Sequence, residues 1–67
     1  MGEYIGKTMC GFINGNIYKI NIDKNVYGYT ISGIENISIE SLNDACINYA
    51  SEKSIRRNWN LYNEDLD

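Results

Sequence analysis

Apolar and polar residues alternate along the first half of the chain and recur at helical spacing along the second. The clearest pattern is Phe12-Ile13-Asn14-Gly15-Asn16-Ile17-Tyr18, where Asn-Gly between apolar runs supplies the two positive-φ residues of a type I′ hairpin turn. Pairing Ile13 with Asn16 sets Phe12 against Ile17, Cys10 against Lys19 and Met9 against Ile20. Tyr18, Ile20 and Ile22 then share a core face with Met9 and Ile13, while Lys19, Asn21 and Asp23 face solvent. Asp23-Lys24-Asn25 reads as a polar turn into a third strand, Val26 to Ile31, rich in β-branched and aromatic residues. Ser32-Gly33 offers a second tight turn into a fourth strand, Ile34 to Ile39. Gly28, inside the pattern of the third strand, marks a bulge, a site of close backbone approach or a simple bend in a curved sheet.

Beyond Gly33 there is neither glycine nor proline, which permits a long helix. Ser41-Leu42-Asn43-Asp44 resembles a capping box, and Leu42, Ala45, Cys46 and Tyr49 follow at helical spacing. Ile55, Trp59 and Tyr62 form a second stripe, about 220° around the helix from Leu42. The two stripes cannot face one core: either the helix kinks near Ser51 to Ser54 and folds Trp59 over its own sheet edge, or its second stripe serves something else. A helix from Ser41 to Asn60 would be about 30 Å long against a four-stranded sheet under about 20 Å wide, so its distal turns would overhang. The expected fold is α+β: an antiparallel three- to four-stranded β-meander followed by one long C-terminal helix packed on the sheet. Residues 1–62 form its single domain and 63–67 an acidic tail. Ile55, Trp59 and Tyr62 are the expected interface of a homodimer or higher oligomer.

Composition narrows the chemistry. With 67 residues, 43% of them hydrophobic, and a net charge of −3, the chain is a small globular domain without a global positive field. It contains no histidine, and Cys10 and Cys46 have no local base, so catalysis is not expected and no cofactor is assigned. The two cysteines are too few for a disulfide framework or, without histidine, for a zinc site, and read as buried free thiols. Gly2-Glu3-Tyr4-Ile5-Gly6-Lys7-Thr8 imitates a phosphate-binding loop but has three residues between its glycines where four are needed, and it leads into a strand. Asp23, Glu35, Glu40 and Asp44 are the carboxylates from which a divalent-ion nuclease site could be built. Met1 to Cys10 has no apolar run fit for a signal peptide or membrane span, so the chain is expected in the cytoplasm without a membrane partner.

Tyrosine is abundant, and Lys53, Arg56 and Arg57 concentrate half of the cations beside Trp59. Tyr27, Tyr29, Lys53, Arg56 and Arg57 are therefore the candidate contacts for single-stranded nucleic acid or a protein partner. A β-meander leading through Ile37-Ser38-Ile39-Glu40-Ser41-Leu42 into a long helix resembles the positive-cofactor-four-like (Whirly-like) fold. In that family a curved four-stranded sheet ends in an isoleucine-serine-leucine strand, a kinked helix dimerises, and the sheet faces bind single-stranded nucleic acid. The resemblance implies such a dimer here. Size, acidity and the absence of catalytic groups favour instead a non-catalytic, homo-oligomeric interaction module. Phages and other mobile elements encode accessory or inhibitor proteins of this kind against host proteins.

Overall fold

The computed structural model describes residues 1–62 and shows a mostly antiparallel sheet. The strands are β1 (Gly2–Tyr4), β2 (Ile17–Asn25), β3 (Gly28–Asn36), β4 (Ser41–Leu42), β5 (Cys46–Tyr49) and β6 (Trp59–Leu61). One helix, α1 (Glu52–Asn58), joins β5 to β6. β2 lies between β1 and β3, β6 pairs with the outer side of β1, and β4 and β5 both pair with β3.

The expected long helix is overturned. The helix has seven residues, and Ser41–Leu42 and Cys46–Tyr49 are strands where a capping box and first stripe were expected. Ala45, Ile47 and Tyr49 alternate with the exposed Asp44, Cys46 and Asn48, so a period of two competed with the helical reading and won through pairing to β3. Leu42, which headed the supposed stripe, is 86% exposed. Helix formation is delayed to Ser51, whose hydroxyl caps α1 by accepting from the Ser54 amide. The fourth strand also moves: Ser32 and Gly33 lie inside β3, and the chain turns at residues 37–40.

The Asn-Gly hairpin does not form either. Two consecutive positive-φ residues do occur, at Cys10 (54°) and Gly11 (84°), with Met9 and Phe12 exchanging backbone hydrogen bonds of 3.0 and 2.9 Å across them. That is type I′ geometry, four residues upstream of its expected place. At Asn14-Gly15 only Gly15 has positive φ. The Gly15 amide donates to Tyr4, and the Asn14 side chain donates to the carbonyls of Ile5 and Gly6. Asn14-Gly15 is thus pinned to the end of β1, which takes the edge of β2 that the hairpin would have occupied.

This rearrangement reverses the faces of the segment before β2. Phe12 is fully buried, whereas Met9 and Ile13 are 48% and 46% exposed. Phe12 sits among Tyr4, Tyr18 and Trp59, with ring centroids 5.6, 5.0 and 5.0 Å away. Its contacts to Tyr18 and Trp59 are edge-on, the arrangement favoured by aromatic quadrupoles. Ile31 and Ile55 complete the buried apolar set. A short chain thereby fills its core with a few large rings.

The sheet is curled. β5 and β6 lie at the two ends of the path β5-β3-β2-β1-β6, which laid flat would separate them by roughly 19 Å. Yet the indole Nε1 of Trp59 on β6 donates to the Tyr49 hydroxyl on β5 at 3.1 Å. α1 links the same two strands, and its Ile55 points into the enclosed space.

Candidate functional site

At the open end of this curl the β2–β3 hairpin crosses the last residues of β5. Asn25 and Gly28 pair around Val26-Tyr27, and Gly28 has a φ of 131°, a conformation that residues with a Cβ rarely adopt. Its missing Cβ is needed twice, since one there would run into the Tyr49 carbonyl and the Ala50 backbone. Gly28 therefore lets the hairpin tip lie directly on the β5 end. The result is a groove of about 440 Å³ lined by Asn25, Tyr27, Tyr29, Asn48, Tyr49 and Ala50.

None of the described residues that line it is charged. The Tyr27 ring is 90% exposed and stands at the rim, while Tyr29 and Tyr49 face each other across the β3–β5 ladder and are half-buried. Tyr49 is held by its bond from Trp59, and burial pushes its phenol up to about 12 despite the opposing effect of that bond. It stays neutral throughout the physiological range.

A directed hydrogen-bond chain fixes the polar wall. The Tyr27 amide donates to Asn25 Oδ1 at 2.9 Å, Asn25 Nδ2 donates to Thr30 Oγ1 at 3.3 Å, and that hydroxyl donates to Asn48 Oδ1 at 2.8 Å. Both amide oxygens are thus engaged within the protein, and among the described residues Asn48 Nδ2 has no acceptor. The groove offers aromatic faces and a hydrogen-bond donor. It suits an uncharged ligand that brings apolar surface and acceptor oxygens.

The structure places Tyr27 and Tyr29 in one groove and adds Tyr49, Asn25 and Asn48, which sequence reasoning passed over. The alternation through Ala45, Ile47 and Tyr49 was the available signal. Lys53, Arg56 and Arg57 lie on α1 and none lines the groove. Arg56 makes a loose pair with Glu52 at 3.8 Å, both side chains about half exposed, so its energetic effect is small. Ile55 and Trp59 require correction as surface residues. Their i, i+4 stripe is real, but because α1 passes straight into β6 it is covered by the chain's own rings, and the exposure that made it an oligomer seam is absent. Tyr62 remains 47% exposed.

Cys10 and Cys46, expected to be buried, are exposed. Among the described residues no three His, Cys, Asp or Glu side chains gather as a metal site would need. No described helix is long and apolar enough to cross a membrane. The acidic tail assigned to residues 63–67 lies outside the described residues. No protein-family model, curated protein or solved structure matches this chain.

Proposed function

We propose that this protein is a small non-catalytic binding module that captures an uncharged segment of a partner protein in its tyrosine groove. The observation that carries the reading is the lining: three tyrosines and two asparagines around about 440 Å³, with no charged side chain among them. A volume of this size is in the range of built binding sites, and aromatic walls with a few placed polar groups are the usual way to hold apolar side chains of a peptide. Single-stranded nucleic acid also stacks on tyrosine, but it needs cations along the phosphates. Here Lys53, Arg56 and Arg57 are on the helix and outside the groove.

The test is capture from a random-peptide display library by the immobilised chain, compared with Tyr27→Ala. With its ring 90% exposed, Tyr27 contributes little to folding, so the variant keeps the fold and loses enrichment. Equal enrichment on both baits would refute the groove as the binding site. Fluorescence anisotropy with a labelled single-stranded oligonucleotide at 50 and 200 mM salt is the companion measurement. Tight binding at the lower salt that collapses at the higher would replace the peptide reading with nucleic-acid binding.

A further inference from the structure

β5 carries a second feature that meets the groove. The Gly33 amide donates to the Ala45 carbonyl at 2.7 Å, which makes Gly33 and Ala45 a directly hydrogen-bonded antiparallel pair. Bonded pairs alternate, so the backbone groups of Ala45, Ile47 and Tyr49 turn toward β3, and those of Cys46 and Asn48 turn away from it. The β2–β3 ladder agrees: the two-residue connection between Asn25 and Gly28 puts the bonds of Gly28, Thr30 and Ser32 on the β2 side, leaving those of Tyr29 and Ile31 for β5. The N–H and C=O of Cys46 and Asn48 thus form an outward row of two donors and two acceptors, and no bond among the described residues takes them up.

This edge lacks most of the usual protection. Natural sheets blunt free edges with short strands, lysine, proline, bulges or a covering element; β5 is short, at four residues, but Cys46-Ile47-Asn48-Tyr49 has no charge, no proline and no register shift against β3. Cys46 and Asn48 are both exposed. The edge also ends at the groove, since Asn48 and Tyr49 belong to both.

We infer that the partner segment binds as an added β-strand on the free edge of β5, with an apolar side chain of that strand seated among Tyr27, Tyr29 and Tyr49. This rests on the groove being the binding site and specifies the ligand as an extended, uncharged peptide. Its backbone satisfies Cys46 and Asn48, and its side chain satisfies the aromatic walls. A second copy of this chain fits the edge but not the groove. In two copies paired antiparallel about Ile47, Cys46 of one faces Asn48 of the other, and Ala50 at the groove faces Asp44 of the other. That register brings a carboxylate to an uncharged aromatic wall, and it leaves the tyrosines uncovered.

Asn48→Pro isolates the edge. The Asn48 amide does not serve the β3 ladder, so proline deletes an outward donor, together with the side chain that accepts from Thr30, and places its ring where the added strand would lie. Asn48→Ala keeps the amide and removes the side chain, and Cys46→Pro repeats the deletion where no side-chain bond is at stake. From the display library described above, peptides enriched on the wild-type chain should bind Asn48→Pro and Cys46→Pro about tenfold or more weakly and Asn48→Ala much less weakly. In ¹⁵N spectra of the complex, the Cys46 and Asn48 amides should become protected from exchange.

Peptides that lose binding with Tyr27→Ala but bind both proline variants as well as the wild type would overturn strand addition and leave the groove reading standing. Enrichment on no bait would remove both. A doubled native mass of the free chain that reverts with Cys46→Pro would assign the edge to a second copy and overturn the inference.

Discussion

Phe12→Ala and Ile13→Ala together test whether the segment before β2 is folded as described. In the hairpin register Phe12 pairs with Ile17 and lies opposite the face of Tyr18 and Ile13, so Ile13 would be the core residue. The structure inverts this: Phe12 is fully buried among three rings, and Ile13 is 46% exposed. Removing a buried phenylalanine ring costs about 3–5 kcal/mol, whereas truncating a half-exposed isoleucine costs about 1 kcal/mol. A domain of 67 residues has a total stability of roughly 3–10 kcal/mol, so Phe12→Ala removes between a third and all of it. Urea unfolding followed by Trp59 emission is the natural assay, because the indole lies 5.0 Å from Phe12 and is itself buried. Phe12→Ala should shift the midpoint far downward or leave the chain unfolded in water, and Ile13→Ala should shift it slightly. Equal losses, or the reverse order, would refute the burial assigned to this segment.

Three further outcomes follow from the same geometry. Tyr49→Phe leaves the Trp59 indole N–H without its acceptor, which should lower stability by about 1–3 kcal/mol and change the tryptophan emission maximum; an unchanged urea midpoint would contradict the bond. Gly28→Ala should destabilise more than Gly15→Ala in thermal melts, since both glycines have positive φ but only at Gly28 would a Cβ meet backbone; equal melting temperatures would count against the close approach. At alkaline pH, burial chiefly raises the Tyr4 and Tyr49 phenols, with nearby Cys10 adding to both, and Tyr49 reaches about 12. Because the folded chain retains these protons after the unfolded chain has lost its own near pH 10, their contribution is complete below that pH and disappears as pH rises toward 12. The urea midpoint should fall across that window and fall less in Tyr49→Phe.

The sequence exposed strands well where β-branched and aromatic content agreed with pairing, and misplaced what joins them. β2 and much of β3 were legible from Tyr18-Lys19-Ile20-Asn21-Ile22 and Tyr29-Thr30-Ile31, because a period of two there has no helical rival. The turn between them fell on Val26-Tyr27, two strand formers, because Asn25 accepts from the Tyr27 amide and Gly28 supplies the positive φ just after it. Asn14-Gly15 was a stronger local signal than Cys10-Gly11, yet it lost to β1, a partner its own neighbourhood did not reveal. The segment from Ala45 to Tyr49 satisfied both periods, and the lack of glycine or proline tipped the reading toward helix. Of the candidate site, Tyr27 and Tyr29 were selected by residue type alone. Asn25, Asn48 and Tyr49 join them through the β3–β5 ladder and the turn at Gly28, which are tertiary facts.

Tyr49 connects the two halves of the argument. Its hydroxyl is the acceptor that joins the two ends of the curled sheet through Trp59, and its ring is a wall of the groove. Whatever holds Trp59 in the aromatic core therefore also fixes the orientation of that wall. A ligand seated against a ring already immobilised loses less entropy than one that must order it, so under the proposed function core packing would contribute to binding without any contact between core and ligand. The same linkage runs in reverse, since a ligand that binds only the folded chain raises its stability by mass action. Tyr49→Phe keeps the groove's aromatic surface and removes its tether. It should consequently weaken peptide capture through loss of preorganisation, although the groove presents the same ring.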